Sequence, residues 1–349
     1  MHNVSRLRAL LMSGALALGV GAGVLFYFYY ELYKANVSAP AAGALIYIPT
    51  GATRAEALSE VIRSNALKNN ATFLRAADRL SYGEKKIYAG CYKITPGMGN
   101  KRLIRMLASG SQTPVELSFR SVRTRQRLAG AIARQIEPDS AALLQALTDE
   151  AVASSFGFTP ENFMAMFIPN TYEVYWNVSV DNFLKRMYRE WNSFWQSNDR
   201  DRKLERLRLS RVEAVILASI VAEETQKVDE MGAIAGVYVN RLRRQVALQA
   251  DPTVRYATGD FSIRRVLRIH TLIRSPYNTY RQPGLPPGPI CVPPPAAIDA
   301  VLNYEEHSYM FFCAKADFSG YHSFSKTFAQ HTSHAIAYQR ALNRMRVFR

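Results

Sequence analysis

The chain has 349 residues, 48% of them hydrophobic, which is enough for two domains with ordinary cores and one additional segment. Its formal net charge is +16, and such an excess of basic residues favours an anionic partner. No zinc-finger spacing, RNP-like aromatic strand or heptad-linked basic region accompanies the charge, so we do not expect that partner to be nucleic acid. Cys91, Cys291 and Cys313 lack metal-type spacing and could form one disulfide at most; we expect buried free thiols and no metal site.

An uncharged run near the N-terminus is long enough to cross a lipid bilayer. Residues 9–30 are rich in Leu, Ala, Gly, Val and aromatic side chains. Arg6 and Arg8 precede the run, and this weak positive-inside bias places the N-terminus in the cytoplasm. The sequence thus predicts a cytoplasmic segment over 1–8, one transmembrane helix over 9–30 and a linker over 31–43. The protein would be a single-pass protein of the inner (cytoplasmic) membrane, with its folded part periplasmic or otherwise extracytoplasmic.

A cleaved signal peptide is the alternative interpretation of this run. The run is longer than a usual signal-peptide core and ends in Phe26-Tyr27-Phe28-Tyr29-Tyr30. Such an aromatic cluster is typical of a membrane-interface anchor, whereas a cleavage site would carry small residues. Retention of the span is therefore favoured. An exterior location makes anionic envelope polymers, phospholipid headgroups or the carboxylates of peptide stems better candidates than nucleic acid for the basic surface. A basic surface that is simply solvated is the favoured alternative.

Two folded regions of the α+β class are predicted after the linker. Residues 44–115 alternate β-like stretches with helices near 54–64 and 70–80, which is the size of a small α+β module. Residues 116–349 are predicted to form a larger mixed α+β domain. Its predicted elements are helices near 121–136, 140–148, 181–195, 211–224, 232–244, 296–303 and 332–346, and a strand at 309–312.

The helix near 211–224 is the most informative of these elements. Ser210, followed three residues later by Glu213, is a capping-box pattern, so a helix is predicted to begin just after the cap and to enter a core. The helix ends in two adjacent acids, Glu223 and Glu224. Neighbouring residues on a helix point in different directions, so the two carboxylates are expected to have different surroundings.

The helical neighbours of the two acids differ. Glu224 shares a face with four apolar residues, Leu217, Ile220, Val221 and Val228. Glu223 has Lys227 four residues later, as expected for an exposed ion pair. Glu224 is therefore the acid expected to be desolvated, and desolvation raises a carboxyl pKa towards a value that suits a general acid near neutral pH. The alternative is that Glu224 lies at the helix edge with its carboxylate in water.

The helix end is the first of five sequence blocks, and the four that follow it are rich in amides, hydroxyls, Pro and Gly. They are Glu223-Glu224-Thr225, Asn240-Arg241-Leu242, Leu248-Gln249-Ala250-Asp251-Pro252-Thr253-Val254, Tyr277-Asn278-Thr279-Tyr280 and Gly284-Leu285-Pro286-Pro287-Gly288. Such groups suit a cleft that hydrogen-bonds and stacks on sugar rings. In this order the blocks resemble those of the endolytic murein transglycosylases, the MltG or YceG-like family. Weaker similarity extends over nearly the whole chain and includes Gly320-Tyr321-His322-Ser323-Phe324.

The resemblance implies a fold and an activity. It implies a LysM-like domain over 44–115 and a YceG-like catalytic domain over 116–349, which cleaves the bond between N-acetylmuramic acid (MurNAc) and N-acetylglucosamine (GlcNAc) in nascent peptidoglycan strands. The family's catalytic acid aligns with Glu224, which would protonate the leaving oxygen and then, as a carboxylate, deprotonate the C6 hydroxyl of MurNAc. The product has 1,6-anhydro-MurNAc ends, and no cofactor or metal is needed. Peptidoglycan synthases are the expected protein partners.

Eight further residues are expected to orient sugar and stem-peptide groups in the cleft. They are Asn240, Arg241, Gln249, Asp251, Thr253, Tyr277, Asn278 and Tyr280. Arg241 is expected either to pair with Asp251 or to contact a substrate carboxylate. For each of the eight, a hydrogen bond that only fixes a loop is an equally weighted alternative.

Two other functions remain open at this point. In the first, the protein is a muramidase-type hydrolase in which Asp251 is a second carboxylate that activates water. An Asx-type turn at Asp251-Pro252-Thr253 is the favoured interpretation of that segment. In the second, the protein is a catalytically silent, membrane-anchored scaffold that binds peptidoglycan. Anhydro ends, reducing ends or no cleavage would distinguish the three functions.

Overall fold

The structure, a computed structural model, describes residues 2–80 and 87–344. The helices of these residues are α1 (His2–Tyr33), α2 (Arg54–Arg63), α3 (Asn70–Arg79), α4 (Asn100–Ser109), α5 (Arg125–Ala133), α6 (Ser140–Thr148), α7 (Glu150–Ser155), α8 (Val180–Gln196), α9 (Arg200–Leu207), α10 (Arg211–Glu224), α11 (Met231–Arg243), α12 (Asp251–Thr258), α13 (Arg268–Thr271), α14 (Pro295–Leu302) and α15 (Phe328–Arg344). The strands are β1 (Ala44–Ile48), β2 (Gly90–Ile94), β3 (Val115–Ser118), β4 (Thr171–Val174), β5 (Phe311–Ala314) and β6 (His322–Ser325), paired as β1–β2, β3–β4 and β5–β6. The mixture of helices and strands agrees with the predicted α+β class.

The chain divides into two compact units. Unit 1 contains the chain up to Glu116 together with Gln135–Glu137 and Glu173–Val178, and unit 2 contains the remaining described residues. The first of these divisions falls between Glu116 and Leu117, and the domain junction expected at 115/116 stays a prediction. The two later returns to unit 1 are short segments between helices, and no change of composition in the sequence marks them.

Unit 1 is built on a β1-α2-α3-β2-α4 arrangement. β1 and β2 are antiparallel, with Ala44 opposite Ile94 and Ile48 opposite Gly90. Thr53 and Glu56 form a capping box that starts α2. The inner faces of the two strands and three helices meet in one apolar core, with Phe73 of α3, Tyr92 of β2 and Leu103 of α4 fully buried. This core makes the region after the N-terminal helix a folded module in its own right.

The N-terminal helix ends inside unit 1. Its segment Leu11–Tyr33 is long and apolar enough to cross a membrane, and none of its most apolar stretch is buried within the protein. At the end of the helix, Glu31 is buried and forms ion pairs with Arg75 and Arg79 of α3. Asn100 of α4 donates to the backbone carbonyl of Glu31 at 2.9 Å. The first part of the segment expected as a linker, 31–43, is therefore fixed to α3 and α4.

Unit 2 is assembled around α10. The capping box predicted at Ser210 and Glu213 is present, and Ala214–Ala222 are buried on all sides of the helix. The one polar side chain in that stretch, Ser219, donates to the Ile216 carbonyl at 2.7 Å and accepts from the Ile290 amide at 3.0 Å. Because its hydrogen bonds are satisfied, α10 can pass through an apolar core. Glu224, the last residue of the helix, therefore lies at the edge of this core.

Three predicted elements differ from the observed ones. The helix expected at 121–136 begins at Arg125 because the Thr124 hydroxyl caps it by accepting from Arg127 N. The Asx-type turn favoured for 251–253 is wrong, since these residues form the first turn of α12, in which Pro occupies an early position that needs no N–H. The strand expected at 309–312 lies at Phe311–Ala314, and the last predicted helix extends at 345–346 beyond the described residues.

Candidate active site

A cleft of about 350 Å³ in unit 2 opens above the end of α10. Its lining residues come from α10, α11, the segment before α12, the start of α12, the loop after α13, β5, β6 and α15. They are Glu224, Tyr238, Arg241, Leu248, Gln249, Asp251, Tyr280, Phe311, Phe312, Cys313, Ala314, His322, Phe328 and His331. A groove of about 620 Å³ in unit 1 is larger but has no acidic side chain in its lining, so the cleft is the better candidate for acid–base chemistry.

Glu224 lies in the cleft, where the positive charge of Arg255 acts on it without a salt bridge and lowers its pKa. Among the described residues it takes part in no salt bridge, and its Oε1 accepts a hydrogen bond from the Tyr238 hydroxyl at 2.6 Å. Desolvation raises the pKa of Glu224 to about 7; the Tyr238 hydrogen bond opposes that rise, and the negative charge of Asp251 adds to it. The side chain keeps partial contact with solvent in the cleft. A carboxyl group with this pKa can donate a proton near neutral pH and accept it back.

Glu223 points to the other side of the helix end and is ion-paired. Arg123 Nε lies 3.0 and 2.9 Å from its two carboxylate oxygens, and Arg123 Nη2 lies 2.7 Å from Oε2. The predicted pairing with Lys227 is wrong because α10 ends at Glu224, so the helical spacing does not extend to Lys227. For the same reason Val228 is not on the Glu224 face and is 62% exposed. The expectation that Glu224 is the more desolvated acid agrees with its surroundings.

Tyr238 is held rigidly on α11. Its ring is buried and meets Phe312 of β5 edge-on, with the ring centroids 5.7 Å apart. Two residues earlier, Gly236 lies against the Glu305 carbonyl and the His307 ring, and a β-carbon there would collide with both. Glycine at this position therefore allows α11 to pack closely against the 305–307 segment. That packing fixes the hydroxyl that orients Glu224.

Arg241 and Gln249 form one wall of the cleft. Arg241 is buried and donates to the backbone carbonyls of Ala247 and Met310, both at 2.9 Å, and to Gln249 Oε1 at 2.5 Å. The expected pairing of Arg241 with Asp251 is not formed. Gln249 has a φ of 53°, which is uncommon for a residue with a side chain and is often found at functional sites. Arg241 thus holds an exposed amide in a strained but fixed position.

Asp251 lies at the start of α12 and is exposed to the cleft. Its Oδ1 accepts a hydrogen bond from the Tyr280 hydroxyl at 2.6 Å. Burial raises the pKa of Tyr280, and the hydrogen bond to Asp251 contributes to the same rise. The carboxylate is also placed at the N-terminus of a helix, where negative charge is favoured. Asp251 therefore contributes a fixed negative charge near Glu224.

Four of the eight residues expected to bind substrate do not line the cleft. Asn240 donates to the carbonyls of His307 and Tyr309 at 2.7 and 3.0 Å. Thr253 and Asn278 are fully buried, and both are hydrogen-bonded to neighbouring loop residues. The Tyr277 ring lies against Tyr256, with centroids 4.7 Å apart. The other four, Arg241, Gln249, Asp251 and Tyr280, line the cleft together with Glu224.

The profile of the YceG-like family matches residues 46–336. The chain belongs to the YceG-like family. It is 27% identical over 302 residues, covering 82% of each chain, to an endolytic murein transglycosylase of Bacillus subtilis (strain 168). A shorter match, 37% identical over 106 residues, covers 29% of this chain and 19% of an endolytic murein transglycosylase of Streptococcus pneumoniae serotype 2 (strain D39 / NCTC 7466). The resemblance carried by the sequence blocks is confirmed.

The fold is also shared with a solved structure. A crystal structure of a YceG-like protein from Listeria monocytogenes aligns with a TM-score of 0.54 at 24% identity, covering 83% of this chain and 98% of that one. At that identity the likeness establishes the fold alone.

Within this YceG-like fold, one motif glycine has a packing reason: a β-carbon on Gly288 would collide with the Glu161 carbonyl and the Tyr277 hydroxyl.

The sequence reasoning missed several cleft residues of this YceG-like chain. Tyr238, which contacts Glu224 directly, comes 14 residues later and belongs to no polar block. His322 lies in the Gly320–Phe324 block, whose similarity to the family gives this histidine no predicted role. It is held by Glu230, whose Oε2 lies 2.8 Å from His322 Nδ1. The aromatic wall of β5 also gave no signal, because Phe311 and Phe312 read as ordinary strand residues. Among the described residues, no group of three or more His, Cys, Asp or Glu side chains could hold a metal.

Proposed function

We propose that the protein is a membrane-anchored endolytic murein transglycosylase in which Glu224 acts first as general acid and then as general base. The enzyme class follows from the family: the chain is a member of the YceG-like family, and its relatives are named endolytic murein transglycosylases. The protein is therefore a lytic transglycosylase of peptidoglycan. The observation that carries the residue assignment is the desolvated Glu224 carboxyl in the cleft, which takes part in no salt bridge among the described residues and is hydrogen-bonded to Tyr238.

In the first step, Glu224 protonates the glycosidic oxygen between MurNAc and GlcNAc. The bond from that oxygen to the MurNAc anomeric carbon breaks, GlcNAc leaves as an alcohol, and an oxocarbenium-like centre develops on MurNAc. The carboxylate that remains is stabilised by the Tyr238 hydroxyl, which is positioned 2.6 Å from Oε1 before the reaction begins. A donor already in place needs no reorganisation as the negative charge develops.

In the second step, the same carboxylate removes the proton from the C6 hydroxyl of MurNAc. The C6 oxygen attacks the anomeric carbon of its own ring, which closes a 1,6-anhydro bond and returns the proton to Glu224. No water is consumed, and the nucleophile is held in the substrate itself, so a second protein carboxylate is not required. The intramolecular attack also benefits from proximity.

The other cleft residues fit roles in binding and orienting the glycan. Gln249 presents an exposed amide, and Arg241 fixes that amide from behind. The aromatic side chains of β5 and α15, Phe312 and Phe328 among them, provide apolar surface for sugar faces. Asn240, Thr253, Tyr277 and Asn278 would then act by holding the loops that carry the cleft residues rather than by touching substrate.

The hydrolase alternative depends on Asp251. Its carboxylate lines the same cleft, but it accepts a hydrogen bond from Tyr280 at 2.6 Å, which favours a fixed electrostatic role. Mass spectrometry of the glycan ends released from purified peptidoglycan tests the choice. Anhydro-MurNAc ends support the transglycosylase mechanism, and reducing MurNAc ends would replace it with hydrolysis. Absence of new ends from an intact substrate would favour the silent binding protein.

The cellular setting completes the proposal. The apolar helix Leu11–Tyr33 would anchor the chain in the inner membrane, with its N-terminus inside and the part of unit 1 after the helix, together with unit 2, outside. The β1-α2-α3-β2 arrangement of unit 1, two antiparallel strands flanking two helices, supports a LysM-like module that binds glycan. Protease added to intact spheroplasts should digest both units and spare the N-terminal segment. Protection of unit 2 would reverse the orientation. Peptidoglycan synthases are the partners proposed on family grounds.

A further inference from the structure

The segment 263–274, between α12 and the Tyr277 block, exposes an unusual concentration of apolar side chains. Leu267, Ile269 and Leu272 are 51%, 71% and 57% exposed. Among the described residues outside α1, only six large apolar side chains are at least half exposed. Three of them lie within the short stretch 267–272. Single exposed apolar residues are common, but a local cluster of this kind marks an interaction surface.

Basic side chains surround the cluster. Arg264, Arg265, Arg268 and Arg274 are all exposed, and among the described residues none of their guanidinium groups has an ion-pair or hydrogen-bond partner. The acid nearest in sequence, Asp260, is occupied by the Ser262 backbone and hydroxyl. The surface is therefore apolar at its centre, positively charged around it and electrostatically unpaired.

The backbone that carries this surface is held in place from inside. Asn278, which is fully buried, donates to the carbonyls of Thr271 and Ile273 at 2.9 and 2.8 Å. Arg281 donates to the Leu272 carbonyl at 3.1 Å. Because these carbonyls are satisfied inward, the segment can present Leu, Ile and Arg side chains outward in a fixed arrangement. Asn278, expected from sequence to contact substrate, thus has a structural role in this surface.

We propose that residues 263–274 form a second membrane contact, which docks on anionic phospholipid headgroups and places Leu267, Ile269 and Leu272 at the acyl boundary. Arginines around exposed Leu and Ile are the composition of an interfacial membrane-binding element. The segment contributes no residue to the lining of the catalytic cleft, and its positive charge is complementary to an anionic bilayer. The inference rests on the proposed membrane anchoring and is independent of the chemistry at Glu224.

Hydrogen exchange of the full-length protein tests the proposal. The protein is reconstituted in nanodiscs of phosphatidylcholine alone and in nanodiscs that also contain phosphatidylglycerol. We expect amides in 263–274 to exchange about tenfold more slowly in the anionic discs, and the difference to disappear in an Ile269→Ser/Leu272→Ser variant and in an Arg268→Gln/Arg274→Gln variant. Val246→Ser, which removes an apolar side chain that is 39% exposed elsewhere in unit 2, is the matched control and should keep the difference.

Several results would overturn the proposal, and they are separable from failure of the anchor. Equal exchange in the two kinds of disc would exclude an anionic lipid contact. Hydrogen exchange of peptides from Leu11–Tyr33, measured in the same sample, shows whether the anchor is inserted. Glycan cleavage by the protein in detergent shows separately whether the chemistry at Glu224 operates. A photo-crosslinker placed at Ile269 in cells should form lipid adducts; a defined protein adduct instead would identify the surface as a protein-docking site.

Discussion

The two sides of the C-terminal end of α10 place two adjacent glutamates in different surroundings. On one side, Glu223 is held by Nε and Nη2 of Arg123 and does not line the cleft. On the other, Glu224 is desolvated, takes part in no salt bridge among the described residues and accepts a hydrogen bond from the Tyr238 phenol. One residue of helical rotation separates an acid with a structural contact from an acid with the features of a catalyst.

This difference shows that surroundings, not residue type, assign the roles of the two carboxylates. An ion-paired carboxylate is stabilised in its charged form and has no reason to give up or take up a proton near neutral pH. A carboxyl whose pKa is raised mainly by desolvation, and which accepts its hydrogen bond from a neutral donor, can exchange its proton near neutral pH.

The largest expected effect comes from exchanging each acid for its amide. Glu224→Gln preserves volume but cannot transfer a proton, so cleavage of purified peptidoglycan should fall by ~10²–10⁴-fold or more. Glu223→Gln leaves the cleft acid in place and should retain activity within about tenfold. Rates of muropeptide release measured for both variants check this prediction. Activity lost in Glu223→Gln and kept in Glu224→Gln would invert the assignment.

Asp251→Asn separates the two mechanisms and shifts the pH profile. The negative charge of Asp251 raises the pKa of Glu224, so its removal should lower that pKa and move the alkaline limb of kcat/KM to lower pH. The maximal rate should change by less than about tenfold, because Asp251 transfers no proton in the proposed reaction. Loss of activity at every pH, with an intact fold, would instead support Asp251 as the second carboxylate of a hydrolase.

Tyr238→Phe should shift the same limb in the opposite direction. The Tyr238 hydrogen bond lowers the pKa of Glu224, so its loss should raise that pKa and extend activity to higher pH. The maximal rate should fall by about 3- to 10-fold, the scale of one net hydrogen bond. The Phe ring preserves the packing against Phe312, so thermal unfolding serves as the control for the fold. Identical pH limbs for the variant and wild type would contradict the role given to Tyr238.

Local patterns in the sequence were enough to predict one part of this site. The Ser210–Glu213 capping box, the apolar run that follows and the acid at its end are all encoded within 15 consecutive residues, because a helix makes its own hydrogen bonds and its faces follow from spacing. The same reasoning placed Glu224 on the desolvated side. The α+β class followed in the same way from alternating local patterns.

The rest depended on contacts between distant residues or on where an element ends. Arg123 lies 100 residues before Glu223, so no helical spacing could reveal the pair. The prediction for Lys227 failed because spacing rules assume that the helix continues, and the helix ends at Glu224. The sequence predicts that Asn278 binds sugar, because side-chain amides hydrogen-bond both to substrates and to loop backbones. Only the neighbours of Asn278 in the fold show that it binds the backbone.

The smallest expected effects concern stability. The pKa of Glu224 is about 7 in the folded protein against an ordinary value of 4.5, so stability contributed by the protonated carboxyl is present below pH 4.5 and is lost as pH rises to about 7. Glu224→Gln does not ionise, so its Tm should exceed that of wild type by a margin that grows between those pH values. About 1–3 kcal/mol is expected above pH 7, reduced by solvent in the cleft. Equal Tm values for the two proteins at all pH values would contradict burial of the acid.

Glu223→Gln should change stability in the other direction. It breaks a partly buried ion pair in which Arg123 and Glu223 are 36% and 15% exposed, and a loss of about 1–2 kcal/mol is expected at neutral pH. Urea unfolding of the variant beside Arg123→Gln and the double variant measures the coupling directly. Additive losses would mean that the pair contributes nothing beyond its separate members.

The most direct test of the contrast between the two acids is a carboxyl titration followed by infrared difference spectroscopy. The spectrum of wild type minus Glu224→Gln isolates the carboxyl band of one residue, and the Glu223→Gln protein is the control that should retain that band. The account predicts a carboxyl that loses its proton near pH 7, absent from Glu224→Gln and present in Glu223→Gln. A Glu224 band that titrates at the ordinary glutamate value of 4.5 would contradict the account, because an acid ionised throughout the neutral range could not serve as the proton donor.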